Sequence, residues 1–184
     1  LGLVLLIIGH VSTTLLVDRG DASHRVTLVK DEIIIHNEYG YEFNEVHITS
    51  EDLEVGDGYV GIEISVYDVS GQIIGEKIGE VEPGMLRFDR TGTARSEVDV
   101  LSRWSGDIVF IFDGTQADGL MQQTQTSGQE SIELVRVTVY NLPASHLVWF
   151  GWVTMMFGMT VITYAGYSKK DALKRNEQLI FEQE

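Results

Sequence analysis

The side chains best suited to chemistry in this sequence are its five histidines, because it contains no cysteine. His10 lies in an apolar N-terminal stretch, where a costly polar imidazole suggests a haem ligand, a proton carrier or a hydrogen-bond donor between helices. A histidine bonded to a neighbouring helix or lying near the membrane interface is the favoured alternative. His24, His36 and His47 fall on predicted strands and could converge on a metal, although isolated strand histidines are usually structural.

Motifs of known enzymes are absent from the sequence. It has no Gly-x-Ser-x-Gly turn, no His-Glu-x-x-His zinc motif and no glycine-rich phosphate loop. The acidic residues 51–58 could hold Ca²⁺, but their spacing fits no known Ca²⁺ loop, so a solvated turn is the better interpretation. Catalysis by groups of this chain alone is therefore poorly supported, and no catalytic residue is assigned.

Residues 147–167 carry no charge and are mostly apolar. A helix of about 20 such residues crosses a bilayer core of about 30 Å, and tryptophans and tyrosines lie towards both ends, where interfaces favour them. Four basic residues follow within residues 169–175, which marks the cytoplasmic side and places the chain before His146 outside the cell. A buried core helix is the less favoured alternative.

Residues 1–17 are uncharged and almost wholly apolar, near the lower length limit for a membrane span. They lack the initiating Met, basic region and cleavage site of a signal peptide, and are interpreted as a transmembrane helix truncated at its start. Gly2 and Gly9 are two helical turns apart, and Gly151 and Gly158 repeat this spacing. Both pairs indicate close helix packing, although glycine is also common in membrane helices generally.

Residues 18–142 change to a strand-like pattern of short runs rich in β-branched and aromatic residues, separated by turn residues. The predicted strands are residues 24–30, 32–36, 41–49, 59–69, 72–78, 85–89, 97–101, 107–112 and 132–141. They indicate an all-β extracytoplasmic domain, a sandwich or partly open barrel, flanked by two transmembrane helices. Ile62, Ile64 and Val66 should face the core, and Glu63 and Ser65 the solvent.

Five further local predictions complete the domain and the tail. The wholly apolar residues 108–112 predict a central strand covered on both faces. Ser70-Gly71 predicts a hairpin turn, and Pro83-Gly84 a turn between separate strands. Residues 114–130 are rich in Gln, Thr and Gly and predict a long mobile loop, while residues 168–184 form a cytoplasmic tail with a short polar helix.

Acidic residues dominate the region between the apolar segments. Residues 18–142 hold 24 Asp+Glu and 9 Lys+Arg, so the whole net charge of −15 lies there. Such a surface repels nucleic acid and anionic lipid head groups, and indicates a solvated domain without a nucleic-acid partner. Acid enrichment also fits adaptation to a salty habitat.

An ordered series of short motifs resembles the C-terminal part of the cytochrome c maturation protein F (CcmF) family. It begins with the glycine-spaced residues 1–9, VTLV at 26–29 and YGYEF at 39–43. It continues with VEPGMLRF at 81–88, ARSEV at 94–98, GDIVFI at 106–111, VRV at 135–137, NLP at 141–143 and VWFG at 148–151. Each motif is weak alone, but their order and spacing cover nearly the whole chain. The residues after Asp107 and the place of Pro143 depart from the family pattern.

The resemblance implies a module of an integral-membrane haem lyase component in the cell membrane, which takes haem from its chaperone and attaches it to apocytochrome c. It implies haem b shared with parts outside this chain, and three partners: the remainder of the lyase, the haem chaperone and apocytochrome c. The family's haem-ligating histidine would fall one residue before Leu1, which leaves His10 as a secondary candidate. The family's tryptophan-rich haem-handling loop is absent from the sequence.

The resemblance therefore makes the chain a fragment or a split-gene product without a complete haem site. A membrane-tethered β-domain that binds a protein partner, or scaffolds a membrane complex without haem, is the alternative function.

Overall fold

The computed structural model describes residues 1–15, 17, 21–50 and 53–181, with side chains described as far as residue 167. The chain divides into two compact units. One unit combines Leu1–Leu16 with Ala144–Glu184 and is helical. The other unit is Val17–Pro143 and is built mainly from strands.

The helical unit contains α1 (Gly2–Thr14) and α3 (His146–Phe181), which pack against each other. Among the described residues, α3 is the one helix with a segment long and apolar enough to cross a membrane, the 22 residues His146–Tyr167. The 13 residues of α1 make a shorter apolar helix of about 20 Å, so the predicted helix over residues 1–17 is shorter in the structure. The backbone of α3 continues without a break into the predicted tail.

The described part of the second unit contains ten strands and one α-helix of more than one turn, α2 (Ala117–Ser127). The strands are β1 (Arg25–Val29), β2 (Ile33–His36), β3 (Tyr39–Thr49), β4 (Gly58–Ser70), β5 (Ile73–Val81), β6 (Gly84–Phe88), β7 (Thr93–Glu97), β8 (Asp99–Arg103), β9 (Gly106–Phe112) and β10 (Leu134–Pro143). Each predicted strand overlaps at least one of them. The predicted hairpin turn at Ser70-Gly71 is confirmed. The predicted turn at Pro83-Gly84 is wrong, because β5 and β6 pair with β4 in one continuous register, Val81 with Ile64 and Gly84 with Gly61, and the chain runs straight on between them.

The strands form two antiparallel sheets. The smaller sheet has the order β1-β10-β9-β8, and the larger has the order β2-β3-β4-β6-β7. Strand β4 pairs with β6 over Gly58–Gly61, and then with β5 from Ile64 to Ser70. The prediction of an all-β domain is thus confirmed, and the two sheets of the domain share one hydrophobic core.

Alternating side chains supply this core, as the period of two along a strand requires. Ile62, Ile64 and Val66 of β4 are fully buried, as predicted, and each such side chain contributes about 1.5–3 kcal/mol through burial. Ser65 was expected to face solvent, but only 2% of its surface is exposed. The side chain of Asn44 bonds the Ser65 hydroxyl at 2.9 Å, which accounts for a buried polar group on the outer face.

Strand β9 is covered on one face, although its sequence predicted cover on both. Ile108, Phe110 and Phe112 are buried, whereas Val109 and Ile111 are partly exposed. The strand does lie inside the smaller sheet, between β10 and β8.

The predicted strand over residues 97–101 is divided between two sheets. Strand β7 ends at Glu97 in the larger sheet, and β8 begins at Asp99 in the smaller one. Val98 alone separates them. Strands that change sheets in this way form the corners of a sandwich.

The prediction of a mobile loop over residues 114–130 is wrong, because most of this segment is α2. The Asp113 carboxylate accepts hydrogen bonds from the backbone N–H and the hydroxyl of Thr115, which starts the helical segment. Ala117 and Leu120 are buried in the core, and Gly128 ends α2 with a φ of 85°. Burial of these two apolar side chains thus orders a segment whose sequence has only a weak helical pattern.

Candidate functional site

The contact between α1 and α3 is made by three of the four glycines singled out for packing. A Cβ atom on Gly9 would lie 2.6 Å from the backbone N of Val148, and one on Gly2 would lie 2.8 Å from the Gly151 carbonyl oxygen. A Cβ on Gly151 would overlap the backbone of Leu6. The helices therefore approach each other more closely at these positions than any larger residue permits.

Gly158 does not take part in this contact. A Cβ atom added there would meet nothing within 4 Å. Gly158 is about one turn of α3 beyond Met155, whose side chain lies beside Gly2 near the start of α1. The spacing of Gly151 and Gly158 is thus the same as that of Gly2 and Gly9, but only Gly151 meets the partner helix.

His10 lies next to Gly9 on α1, and its side chain is exposed. Its backbone carbonyl accepts hydrogen bonds from the hydroxyls of Thr13 and Thr14, at 3.2 and 2.5 Å. An imidazole exposed on the surface of a helix pair can ligate a haem only where further residues supply the walls and the second axial ligand. The described residues of α1 and α3 therefore do not enclose a haem by themselves.

A second candidate site lies on the outer face of the larger sheet, beside a β-bulge in β3. The register of β3 against β4 shifts between Phe43 and Glu45, so that Phe43 and Val46 are both buried while Asn44 and Glu45 both face outwards. His47 follows on the outer face. The bulge thus places a carboxylate and an imidazole side by side on the surface.

Both ring nitrogens of His47 contact carboxylates. Nε2 lies 2.8 Å from Oε1 of Glu45, and Nδ1 lies 3.1 Å from Oε1 of Glu82, which follows β5. The hydrogen bond to Glu45 is the main cause that raises the pKa of His47, and the hydrogen bond to Glu82 adds to it against the effect of burial. In this arrangement the ring donates from both nitrogens, because carboxylates only accept.

Glu63 completes the cluster from β4, where it pairs directly with Glu45. One ligand atom from each of Glu45, His47 and Glu63 lies within 4.8 Å of the other two, and within the described residues this is the one such grouping of three or more potential metal ligands. The Asn44 amide donates a hydrogen bond of 2.7 Å to Oε1 of Glu63 and so fixes that carboxylate.

The ring of Tyr59 covers the neighbouring glycines of this face. A Cβ atom on Gly61 or Gly84 would overlap the Tyr59 side chain, so both glycines make room for it. The Tyr59 hydroxyl donates to the backbone carbonyl of Glu82 at 3.3 Å. The backbone that carries Glu82 is thereby held in place beside His47.

The two other histidines of the β-domain do not join His47. His24 lies in a short 3₁₀ turn, with its ring 4.8 Å from that of Tyr140, and His36 ends β2, where Nε2 bonds the Asn37 amide at 2.8 Å. Burial lowers the pKa of His36, with a smaller effect from His24. The sequence-based option of a three-histidine metal site is thus not formed. The acidic residues 51–58 lie partly outside the described residues.

A groove of about 690 Å³ lies between β6 and α2. Its wall includes the thioethers of Met85 and Met121, and an Arg87 guanidinium N–H points at the Met121 sulfur at 3.6 Å. The same guanidinium pairs with Asp89 at 2.6 Å. The groove can accept an apolar group of moderate size, and Arg87, the cation among its described lining residues, is already paired.

The sequence indicates His47 as a candidate ligand but does not indicate its neighbours in the fold. Glu45 and His47 are two residues apart, which places them on one face of a strand. Glu63 and Glu82 are added only by the pairing of β3 with β4 and by the path of the chain after β5. No local sequence pattern indicates either of these two glutamates.

No protein-family model matches the sequence, and comparisons with curated proteins and with solved structures return no significant match. The sequence and this geometry are therefore the basis for assigning a function.

Proposed function

We propose that this chain is the C-terminal module of a membrane haem lyase component that acts in cytochrome c maturation. The close packing of α1 on α3 through Gly2, Gly9 and Gly151 is the observation that supports it best. The resemblance to the CcmF family implies this order of elements, in which one membrane helix precedes the β-domain in the sequence and a second one follows it. In this proposal α1 and α3 both lie in the membrane, and the β-domain lies outside the cell.

The resembling motifs also fall on defined elements. VEPGMLRF spans the end of β5 and all of β6, GDIVFI lies in β9, and VRV lies in β10. VWFG lies in the first turns of α3 and contains Gly151. Most residues of these four motifs thus lie in strands or in α3, and this placement is compatible with the resemblance.

Haem enters this proposal as a group shared with the remainder of the lyase. His10 is exposed on α1 and does not face the α3 contact made by its neighbour Gly9, so it is available to helices outside this chain. The principal haem ligand is expected upstream of Leu1, and His10 is the secondary candidate. The haem chaperone and apocytochrome c are the further partners.

The proposal is tested by removing the chain from its native host and measuring covalent haem in c-type cytochromes on denaturing gels. We expect covalent haem to disappear and to return when the wild-type chain is supplied. The Gly9→Leu variant should fail to restore it, while Gly158→Leu, which changes an open position, should restore it. Normal cytochrome c maturation in the absence of the chain would refute the proposal.

The role of His10 needs a separate measurement. The complex is purified from membranes through a tag on the chain, and its b-type haem spectrum is recorded with wild type and with His10→Ala. We expect the spectrum to persist in the variant, because the principal ligand lies elsewhere. Loss of the spectrum would make His10 a ligand, and absence of haem from the wild-type complex would contradict the haem lyase assignment.

A partner-binding or scaffolding domain without haem is the second candidate. The observation that favours it is an apolar surface on and beside the edge strand β8, where Val98, Val100 and Trp104 are 47%, 43% and 87% exposed. Exposed apolar residues at a sheet edge are typical of protein interfaces. Normal cytochromes in the deletion strain, together with loss of another membrane complex, would support this candidate.

A further inference from the structure

We propose that Glu45, His47 and Glu63 form a binding site for one divalent transition metal ion of the zinc or manganese type on the outer face of the larger sheet. This inference is independent of haem and of the proposed function. It concerns the β-domain alone, and metal binding tests it directly.

The donor set determines the class of metal. Two carboxylates and one imidazole suit Zn²⁺ or Mn²⁺, whereas Ca²⁺ and Mg²⁺ prefer oxygen ligands alone. Metal–ligand distances of about 2.1 Å place tetrahedral ligand atoms about 3.4 Å apart. The three ligand atoms lie within 4.8 Å of one another, and Glu45 is exposed, so rotation of its side chain can close the remaining gap.

Glu82 gives the imidazole the orientation that a metal ligand needs. When a metal occupies the site, Nδ1–H of His47 donates to Glu82 at the observed 3.1 Å, and the lone pair of Nε2 is on the side of Glu45, which lies 2.8 Å away. A carboxylate behind the imidazole fixes its tautomer and increases its basicity, as in most protein metal sites. The Tyr59 hydrogen bond to the Glu82 backbone supports this arrangement from the next layer.

Asn44 likewise fixes the orientation of the Glu63 carboxylate. Its amide donates to Oε1 of Glu63 and to the Ser65 hydroxyl, at 2.7 and 2.9 Å, which leaves the second carboxylate oxygen free for a metal. Two of the three ligands thus have an outer partner that is not itself a ligand. Asn44 takes up this position because it is the residue inserted at the bulge.

Charge favours a cation at this point. Three carboxylates, those of Glu45, Glu63 and Glu82, surround a single imidazole. Lys77 lies within electrostatic range of Glu63, but its ammonium group bonds Glu80. The metal replaces the proton on Nε2 and neutralises more of the carboxylate charge than that proton does.

Three protein ligands leave at least one coordination position for water, because Zn²⁺ takes four ligands or more. The His47 side chain is 37% exposed, so this position opens to solvent. The site can therefore exchange its ion with the surroundings, and it links β3 to β4 through the metal.

The test is titration of ZnCl₂ into the detergent-solubilised full chain after chelator treatment, followed by calorimetry, with Co²⁺ absorption as a second signal. We expect one equivalent to bind in the presence of excess Mg²⁺. His47→Ala and Glu63→Gln should abolish this binding at concentrations that saturate the wild type. Glu82→Gln should weaken binding about 10–100-fold, because it removes the outer partner of the imidazole.

Glu76→Gln is the matched control for a lost carboxylate, because Glu76 is an exposed residue of β5 outside the cluster, and His36→Ala is the control for a lost imidazole. Both should bind Zn²⁺ like the wild type. The proposal fails if the wild type binds no equivalent resistant to Mg²⁺, if His47→Ala binds as tightly as the wild type, or if Glu76→Gln weakens binding as much as Glu63→Gln. Unfolding midpoints without metal verify that every variant is folded.

Discussion

The rings of Tyr41 in β3 and Phe110 in β9 meet edge to face, with centroids 5.6 Å apart, and so connect the two sheets at the centre of the core. Both side chains are essentially inaccessible to solvent. Burial is also the main cause that raises the pKa of Tyr41 far above its usual range, so its hydroxyl stays protonated. This pair is one of the contacts by which two sheets become one folding unit.

Truncating Phe110 should test that contact. Phe110→Ala removes a fully buried ring and leaves a cavity between the sheets, so we expect the free energy of unfolding to fall by about 3–5 kcal/mol. Chemical denaturation of the purified chain in mild detergent measures the change. Ile73→Ala alters an exposed side chain and should change stability by less than about 0.5 kcal/mol. Similar losses for the two variants would place the core elsewhere.

Enlarging Gly9 should separate α1 from α3. Gly9→Leu forces a side chain against the backbone at Leu147 and Val148, and overpacking of this kind costs about 1–3 kcal/mol. Thermal unfolding in detergent, followed by tryptophan fluorescence, should show a lower midpoint. Gly158→Leu introduces the same side chain at an open position and should have little effect. A larger effect at Gly158 would mean that this face is packed in the assembled protein.

Asp113 should contribute stability that depends on pH. Hydrogen bonds from Thr115 hold the pKa of its carboxyl below the usual value of an aspartate, with smaller effects from the charges of Arg136 and Arg25. A lowered native pKa stabilises the fold above the unfolded pKa, and this contribution is lost as the pH falls through the native value. Asp113→Asn should therefore cost roughly 1 kcal/mol at pH 7 and progressively less below about pH 4.

Denaturation of wild type and Asp113→Asn across this pH range measures the difference between them. Thr91→Val, at a second exposed turn, should show a difference that does not vary with pH. A constant difference for Asp113→Asn would exclude a role for its charge.

The proposed topology places Gly40 outside the cell and Lys170 inside, because basic residues follow the span of α3. The chain has no cysteine, so one introduced cysteine is its sole thiol. Gly40 itself is buried beside Ile33, so the outer position is tested at Gln72, an exposed residue of the same domain in the turn between β4 and β5. An impermeant thiol reagent on intact cells should label a cysteine at residue 72 and not one at residue 170. The reverse pattern would invert the topology, and labelling at residue 170 should appear only after the cells are opened.

The strands of the domain could be predicted from the sequence because their buried faces alternate with polar ones, as in β4. Strand β7 was missed because its residues Thr93–Glu97 are largely exposed, and pairing with β6 supplies its order. The α2 segment was missed because Ala117 and Leu120 give too weak an apolar pattern among Gln and Thr. The cluster at His47 depends on a bulge and on strand register, which are properties of the folded sheet.

The change of partner along β4 has a consequence for the dynamics of the domain. This strand is bonded to β3 on one side, and on the other side first to β6 and then to β5. Between β6 and β5, the Ile62 N–H donates a hydrogen bond to the Pro83 carbonyl. Its central amides thus have protein acceptors on both flanks. Local opening cannot expose them without separating two neighbours, so their hydrogens should exchange with deuterium only when the whole domain unfolds.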